Sequence, residues 1–307
     1  MRYRPLGASG NAVSNLTLSL GDHTLARGPA AARELIYCAL EAGINSYRLE
    51  SANPVLAEVA GQALSNLDRK LVGVSLTLGR SDGRRGPQRD FSAEGMTAAI
   101  DRALHVSGLG WIDMALLEEP GEDELPQSSL NALKALRATG RVQLLGVAGE
   151  GEVMDTYVST GAFDILATPY HANSDWRIHS RIRAARERDM AIFGYDYFPE
   201  SLSSEKKALE ASEGKKKRGL FGFGGRSKND PLAGAGTFAF LHRTPGWTAE
   251  EICLAYAMAE PSIASIIIAA DRAERLNGLA AVPERDMPPG LAAQVEMARV
   301  GKARTAA

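Results

Sequence analysis

Short apolar runs of the kind that build buried strands alternate along this chain with longer segments whose apolar positions recur every three or four residues. The runs predict strands over residues 16–20, 44–47, 71–78, 112–117, 143–147, 164–168, 191–195 and 265–269. Helical periodicity falls between them, over 29–42, 55–66, 92–106, 129–139, 151–160, 176–188, 248–259 and 272–279. Thr248 with Glu251 reads as a capping box, and the glycines of Ala42-Gly43 and Thr139-Gly140 read as helix stops. Strands that each hand over to a helix close naturally into a (β/α)8 barrel. An open doubly wound sheet is the alternative, but no GxGxxG follows the first strand.

Three stretches stand outside the repeat. Residues 1–15 predict a β-hairpin turning at Ala8-Ser9-Gly10, and 282–307 a C-terminal tail with a helical portion after Pro288-Pro289. The connection over 200–236 is far longer than an ordinary strand-to-helix loop, which makes it a candidate for a flexible or functional insertion. The expectation is one barrel over 1–307 carrying this insertion after its seventh strand.

Composition adds bounds rather than chemistry. A 45% hydrophobic and 23% charged chain of 307 residues is ordinary globular material, and a formal net charge of −2 gives no global field for nucleic acid or anionic lipid. Locally the insertion differs, because residues 214–228 carry Lys215, Lys216, Lys217, Arg218, Arg226 and Lys228 with no acidic residue. Cys38 and Cys253 sit in apolar helical patterns without ligand spacing, so neither a disulfide framework nor a zinc site is expected. His23, His105, His171, His179 and His242 show no metal-ligand spacing and read as surface or capping residues. No apolar run is long enough to span a membrane and no signal core opens the chain, so a cytoplasmic protein is expected.

The blocks RPLGASGNAVSNLTLSLG, ALEAGINSYRLESANPVLAEVAGQAL, LVGVSLTLG, WIDMALLEEP, ALKALRATGRVQLLGVAGE and ILATPYH follow one another in an order and spacing that resembles the aldo-keto reductase superfamily over nearly the whole chain. That resemblance implies a nicotinamide cofactor and a tetrad of aspartate, tyrosine, lysine and histidine at the barrel mouth. Laid on the family pattern, Arg48 takes the aspartate's place, Asn53 the tyrosine's, Leu76 the lysine's and Glu118 the histidine's. All four depart from it. Carbonyl reduction needs a proton donor at the developing alkoxide, and losing a positioned general acid costs on the order of 10² to 10⁴ in rate. No catalytic residue of the family type is therefore expected. Arg48 and Glu118 are expected to pair across the mouth. Either the pair only satisfies two charges, or Glu118 or Glu119 acts as a base with Arg48 stabilising an oxyanion.

For the cofactor, Ala148, Gly149 and Ala167 stand where the resemblance puts the polar anchors of the carboxamide, while Tyr195 keeps the ring that stacks on nicotinamide and Asp196 takes a pyrophosphate-contacting place. Asp271, Arg272 and Arg275 fall in the loop and helix start that would hold the adenosine phosphate. Asp271 would oppose a 2′-phosphate, which favours NAD(H) over NADP(H).

Two readings of function follow. The first is a catalytically inactive homologue that resembles the KidO-type branch of the superfamily. That resemblance implies NAD(H) binding, contacts with the division GTPase FtsZ and with a histidine kinase, and a regulatory role. Phe221 and Phe223 among the insertion's basic residues offer it a docking handle. The second is a weak or repurposed NAD(P)H-dependent oxidoreductase using a relocated acid such as Tyr47 or Tyr170.

Overall fold

The computed structural model describes residues 1–83, 86–212 and 237–306. Its strands are β1 (Tyr3–Pro5), β2 (Ala12–Ser14), β3 (Leu16–Leu20), β4 (Ser46–Leu49), β5 (Gly73–Gly83), β6 (Gly86–Asp90), β7 (Ile112–Glu118), β8 (Val142–Ala148), β9 (Ile165–Pro169), β10 (Ala191–Tyr195) and β11 (Ser265–Ala269). Its α-helices are α1 (Asp22–Leu25), α2 (Pro29–Glu41), α3 (Pro54–Leu64), α4 (Ala93–Ser107), α5 (Gln127–Ala138), α6 (Glu152–Thr160), α7 (Trp176–Arg186), α8 (Glu205–Ser212), α9 (Ala249–Ala259), α10 (Ala273–Ala281) and α11 (Leu291–Ala306). Parallel pairing runs β3-β4-β5-β7-β8-β9-β10-β11 and returns from β11 to β3, which closes the expected (β/α)8 barrel.

Side-chain alternation along the strands sorts residues into two cores. Outward residues such as Leu18, Leu49, Leu76, Leu117 and Ile266 pack with helix residues including Leu35, Leu56, Ile100 and Ile252. Inward residues Met114, Leu116, Ile165, Phe193 and Ile267 fill the barrel, and Leu6 and Val13 of the β1–β2 hairpin join them. The buried hydroxyls inside the barrel satisfy one another, with Thr17 bonding Ser46 at 2.9 Å and Ser265 at 2.7 Å. The lower barrel is thus filled, and the chemistry-bearing residues stand at the C-terminal ends of the strands.

Several boundaries move. The strand expected over 44–47 is β4, two residues later, because Gly43 at φ 83° and the residues after it complete the exit from α2. Arg69–Leu71 forms a 3₁₀ turn, so the third barrel strand starts at Gly73 and then outruns the barrel to pair antiparallel with β6, a hairpin that the periodicity did not predict. The insertion over 200–236 is not wholly irregular: Leu202 and Ala208 are buried, and Glu205–Ser212 is helical. The basic segment 214–228 lies outside the described residues. The tail after Pro288-Pro289 is helix α11, docked through Leu291, Val295 and Ala298. Among the described residues no helix is long and apolar enough to cross a membrane.

Candidate active site

Arg48 sits on β4 with Ser19 of β3 and Ser75 of β5 as its strand partners, so its side chain enters the barrel mouth. Its Nε donates to Thr77 Oγ1 at 2.9 Å, and its Nη2 stands 3.7 Å from Glu118 Oε1. The expected pair therefore forms, as a loose contact between two largely covered side chains, 11% and 27% exposed. Next to it Glu50 accepts from Ser19 Oγ at 2.8 Å and lies 3.9 Å from His23 Nδ1.

Leu76 is not at the mouth. It is fully buried between sheet and helices, because a residue beside the inward-facing Ser75 and Thr77 must point outward. Thr77 is the β5 residue that meets Arg48, and the polar Ser75-x-Thr77 alternation within LVGVSLTLG is the signal that identifies it. Asn53 has a local role: as the cap residue of α3 its Oδ1 accepts from Val55 N at 2.9 Å. Asn53 and Thr77 share the wall of a cleft of about 430 Å³ that continues along α4 to Arg102.

The two relocated acids fail on position. Tyr47 is buried on the helix side of β4 and donates to Ile44 O at 2.8 Å, and burial pushes its hydroxyl far above the usual phenol range. Tyr170 is also buried, stacked on Tyr256 with ring centroids 6.1 Å apart, and burial pushes its hydroxyl up to about 12. The phenol that does face the mouth is Tyr195, at the end of β10 on the inward side. Burial pushes its hydroxyl well above the ordinary range, Glu119's charge adds to that, and Arg48 offsets part. Such a phenol is a poorer proton donor than a free one.

Ala148, Gly149 and Ala167 surround the same end of the barrel and offer no polar side chain, with Ala148 and Ala167 strand partners. Asp196 follows β10 in a left-handed conformation at φ 51°, and burial followed by Glu150's charge raises its carboxyl. An acidic side chain there is no phosphate ligand; only its backbone N–H suits the place first expected of it. At the other end, Arg272 is the N-cap residue of α10 and its side chain makes no capping hydrogen bond, which suits the first-turn N–H groups to an anion. Arg275 is already engaged: it forks onto Glu250 at 2.6 and 3.1 Å and donates to Ala269 O at 3.2 Å, while Tyr197 donates to the same carboxylate at 2.8 Å. Asp271 is exposed just before this turn. An open cleft of about 630 Å³ runs along α10 between Arg27, Arg272, Arg275 and Gly278, and Arg27 is a wall residue that periodicity alone did not single out.

A nicotinamide dinucleotide fits this arrangement in part. Tyr195 offers a ring at the mouth, and α10 offers an uncapped N-terminus beside two arginines, but the carboxamide positions are bare. Among the described residues no group of His, Cys, Asp or Glu converges as a metal ion would need. His179, expected as a surface or capping residue, is half-buried: it packs edge-on against Tyr170, and its buried Nε2 has no hydrogen-bond partner among the described residues.

Comparison with known proteins agrees with the architecture. The profile of the Aldo/keto reductase family matches residues 17–296. The uncharacterized oxidoreductase YqkF of Bacillus subtilis (strain 168) is 23% identical over 283 residues, covering 90% of this chain and 89% of the relative. The aldo-keto reductase AKR11C1 from Bacillus halodurans in its holo form superposes with a TM-score of 0.76 at 17% identity, over 96% of this chain and 95% of that one. A putative aldo-keto reductase from Pseudomonas aeruginosa gives 0.65 at 20% identity, with the same coverage of 96% and 95%.

Proposed function

We propose that this chain, which belongs to the aldo/keto reductase family, binds a nicotinamide dinucleotide without using it to reduce carbonyl compounds, and works as a regulator through protein contacts. The observation that carries this reading is Arg48 at the mouth, hydrogen-bonded to Thr77 and facing Glu118 at 3.7 Å. A bound nicotinamide would supply a hydride, and carbonyl reduction would then need a proton for the alkoxide from the protein's own residues. A guanidinium does not release its proton near neutral pH. The Thr77 hydroxyl is far too weak an acid, and the Asn53 amide, whose Oδ1 accepts from Val55 N at the start of α3, does not release a proton near neutral pH.

Cofactor retention is supported by Tyr195 and by the α10 cleft with Arg27 and Arg272. Asp271 supports NAD(H) over NADP(H), since a carboxylate accepts from a ribose hydroxyl and repels a 2′-phosphate. The regulatory part rests on the KidO-type pattern of a degenerate tetrad, whose partners would be the division GTPase FtsZ and a histidine kinase. The basic segment 214–228 is its proposed docking element on an acidic surface. Purified protein incubated with NADH, NADPH and a panel of aldehydes and ketones should show no enzymatic oxidation of either nucleotide, while calorimetry shows saturable NAD(H) binding. Steady turnover overturns the inactive reading, and absence of binding overturns the cofactor reading. The alternative of a weak oxidoreductase is favoured by one feature, the mouth-facing hydroxyl of Tyr195; Tyr195→Phe would abolish any turnover of that origin.

A further inference from the structure

Helix α11 joins the barrel through a short strap. Ahead of it Arg285 anchors the chain, donating to Glu251 Oε1 at 2.8 Å and lying 3.8 Å from the centre of the Trp247 ring. Residues 286–290 then lead through Pro288-Pro289 into the helix, and Gly290 turns the chain in a left-handed conformation, φ 81°, with nothing within 4 Å of where a Cβ would stand. Leu291, Val295 and Ala298 form the docked face, while Met297 stays exposed. Tyr256 of α9 donates to Glu296 at 2.7 Å, and Arg299 forks onto the same carboxylate from within the helix. His179 of α7 faces this junction. Its ring meets Tyr170 edge-on with centroids 5.6 Å apart, Tyr170 in turn stacks on Tyr256, and the buried Nε2 has no hydrogen-bond partner among the described residues.

We propose that α11 is a latch released by acid: a proton taken up by His179 undocks the helix at the 286–290 strap while the barrel stays folded. This holds whether or not a nucleotide binds. A neutral imidazole leaves Nε2 as a bare acceptor against aromatic rings, whereas the imidazolium carries a charge and a donor on both nitrogens, and the buried one has no acceptor to meet. The charged groups facing the ring come from three elements: Asp175 at the start of α7, Glu260 at the end of α9, and Glu296 with Arg299 on α11. The three carboxylates favour the proton, but burial, with Arg299 adding to it, outweighs them and holds the imidazole below its ordinary value. Undocking wets the ring and removes Arg299, so proton uptake and release of the helix favour each other. Helix α7 runs between β9 and β10, and α9 runs directly into β11, so neither leaves without the barrel; α11 is held by one face and the strap. Release presents Leu291, Val295 and Ala298, together with the Tyr170–Tyr256 pair, as an apolar surface available only in acid.

The test is hydrogen–deuterium exchange of the intact protein at about pH 7.5 and about pH 5.5, corrected for the chemical exchange rate. Exchange within 291–299 should rise severalfold at the lower pH, with a ceiling of about tenfold set by one proton on an imidazole of ordinary pKa about 6.5, while the amides of β7 and β8 keep their protection. His179→Phe keeps a ring against Tyr170 and removes the titration, so protection of α11 should become the same at both pH values. Protection of α11 that does not change with pH in the native protein overturns the proposal, as does exchange that spreads to β7 and β8 or a pH dependence that survives in H179F. Should the variant fold poorly, the native protein decides alone: the rise must follow uptake of a single proton across that range, and a steeper dependence overturns the assignment to His179.

Discussion

Arg48 occupies a position where a guanidinium is held by one hydroxyl and one carboxylate rather than by a catalytic partner set. Its contact with Glu118 is long, and a largely covered pair of this kind is weak evidence of stabilisation because desolvation offsets the attraction. Its consequence is chemical: it fills the mouth with a cation that cannot act as an acid. The neighbouring strand shows why identity at a single position must be argued from the pleat. Leu76 and Thr77 are adjacent in sequence and face opposite sides of the wall, so their substitutions should separate cleanly. Leu76→Ala should lower unfolding stability by about 2–5 kcal/mol, as for a buried leucine in a packed layer, and leave nucleotide affinity unchanged. Thr77→Val should cost about 1 kcal/mol through the lost hydrogen bond to Arg48. Urea unfolding followed by circular dichroism measures both, and equal costs would contradict the assigned facing.

At the scale of elements, the strands and helices of the barrel were legible because burial on both faces leaves apolar runs and amphipathic helices leave a period. The β5–β6 hairpin was not. Its residues, GRSDG and GPQRD, carry no apolar alternation, and only the pairing of Gly79 with Asp90 through Gly83 with Gly86 reveals it. Gly79, at φ 99°, is required where this hairpin leaves the barrel, since any side chain there would run into the Phe91 ring. Helix α11 was legible as a helix but not in its docking. Tyr256 of α9 donates to Glu296 of α11 at 2.7 Å, and His179 of α7 faces the same junction. Burial lowers the His179 imidazole below its ordinary value; Arg299 adds to this, while Glu296, Glu260 and Asp175 oppose. On acidification the unfolded chain takes up a proton that the folded one resists, so stability is full above about 6.5 and falls as pH drops below it. Burial works against the Glu296 carboxylate, yet bonds from Arg299 and Tyr256 hold it below the ordinary range, which confines its own contribution to more acidic pH. Melting temperature should therefore fall between pH 7 and about 5.5, and His179→Phe, which keeps the ring against Tyr170, should flatten that slope. An unchanged slope in the variant would assign it elsewhere.

For the whole molecule, fold and family were readable from the order of blocks, whereas the site was readable only in part. Arg48, Asn53, Glu118 and Tyr195 were found because they sit at fixed offsets from glycine and proline landmarks, as in GINSYRLESANP and LLEEP. Glu119 was found only as a carboxylate, since its left-handed turn and its place over Gly149 depend on β7, β8 and Arg89 meeting in space. Arg275 was readable as a cation but not as one already spent on Glu250. Partner recognition belongs to this scale as well. Deleting 214–228 should weaken capture of an acidic protein partner and leave the melting temperature nearly unchanged, and undiminished capture would exclude the segment from partner recognition. A barrel that keeps a dinucleotide site without a proton donor for carbonyl reduction, as proposed above, should leave NADH unoxidised at saturating nucleotide with a carbonyl panel. Turnover should stay below about 0.1 per second, under the slow end of ordinary enzymes, and sustained turnover above that rate would refute the proposal.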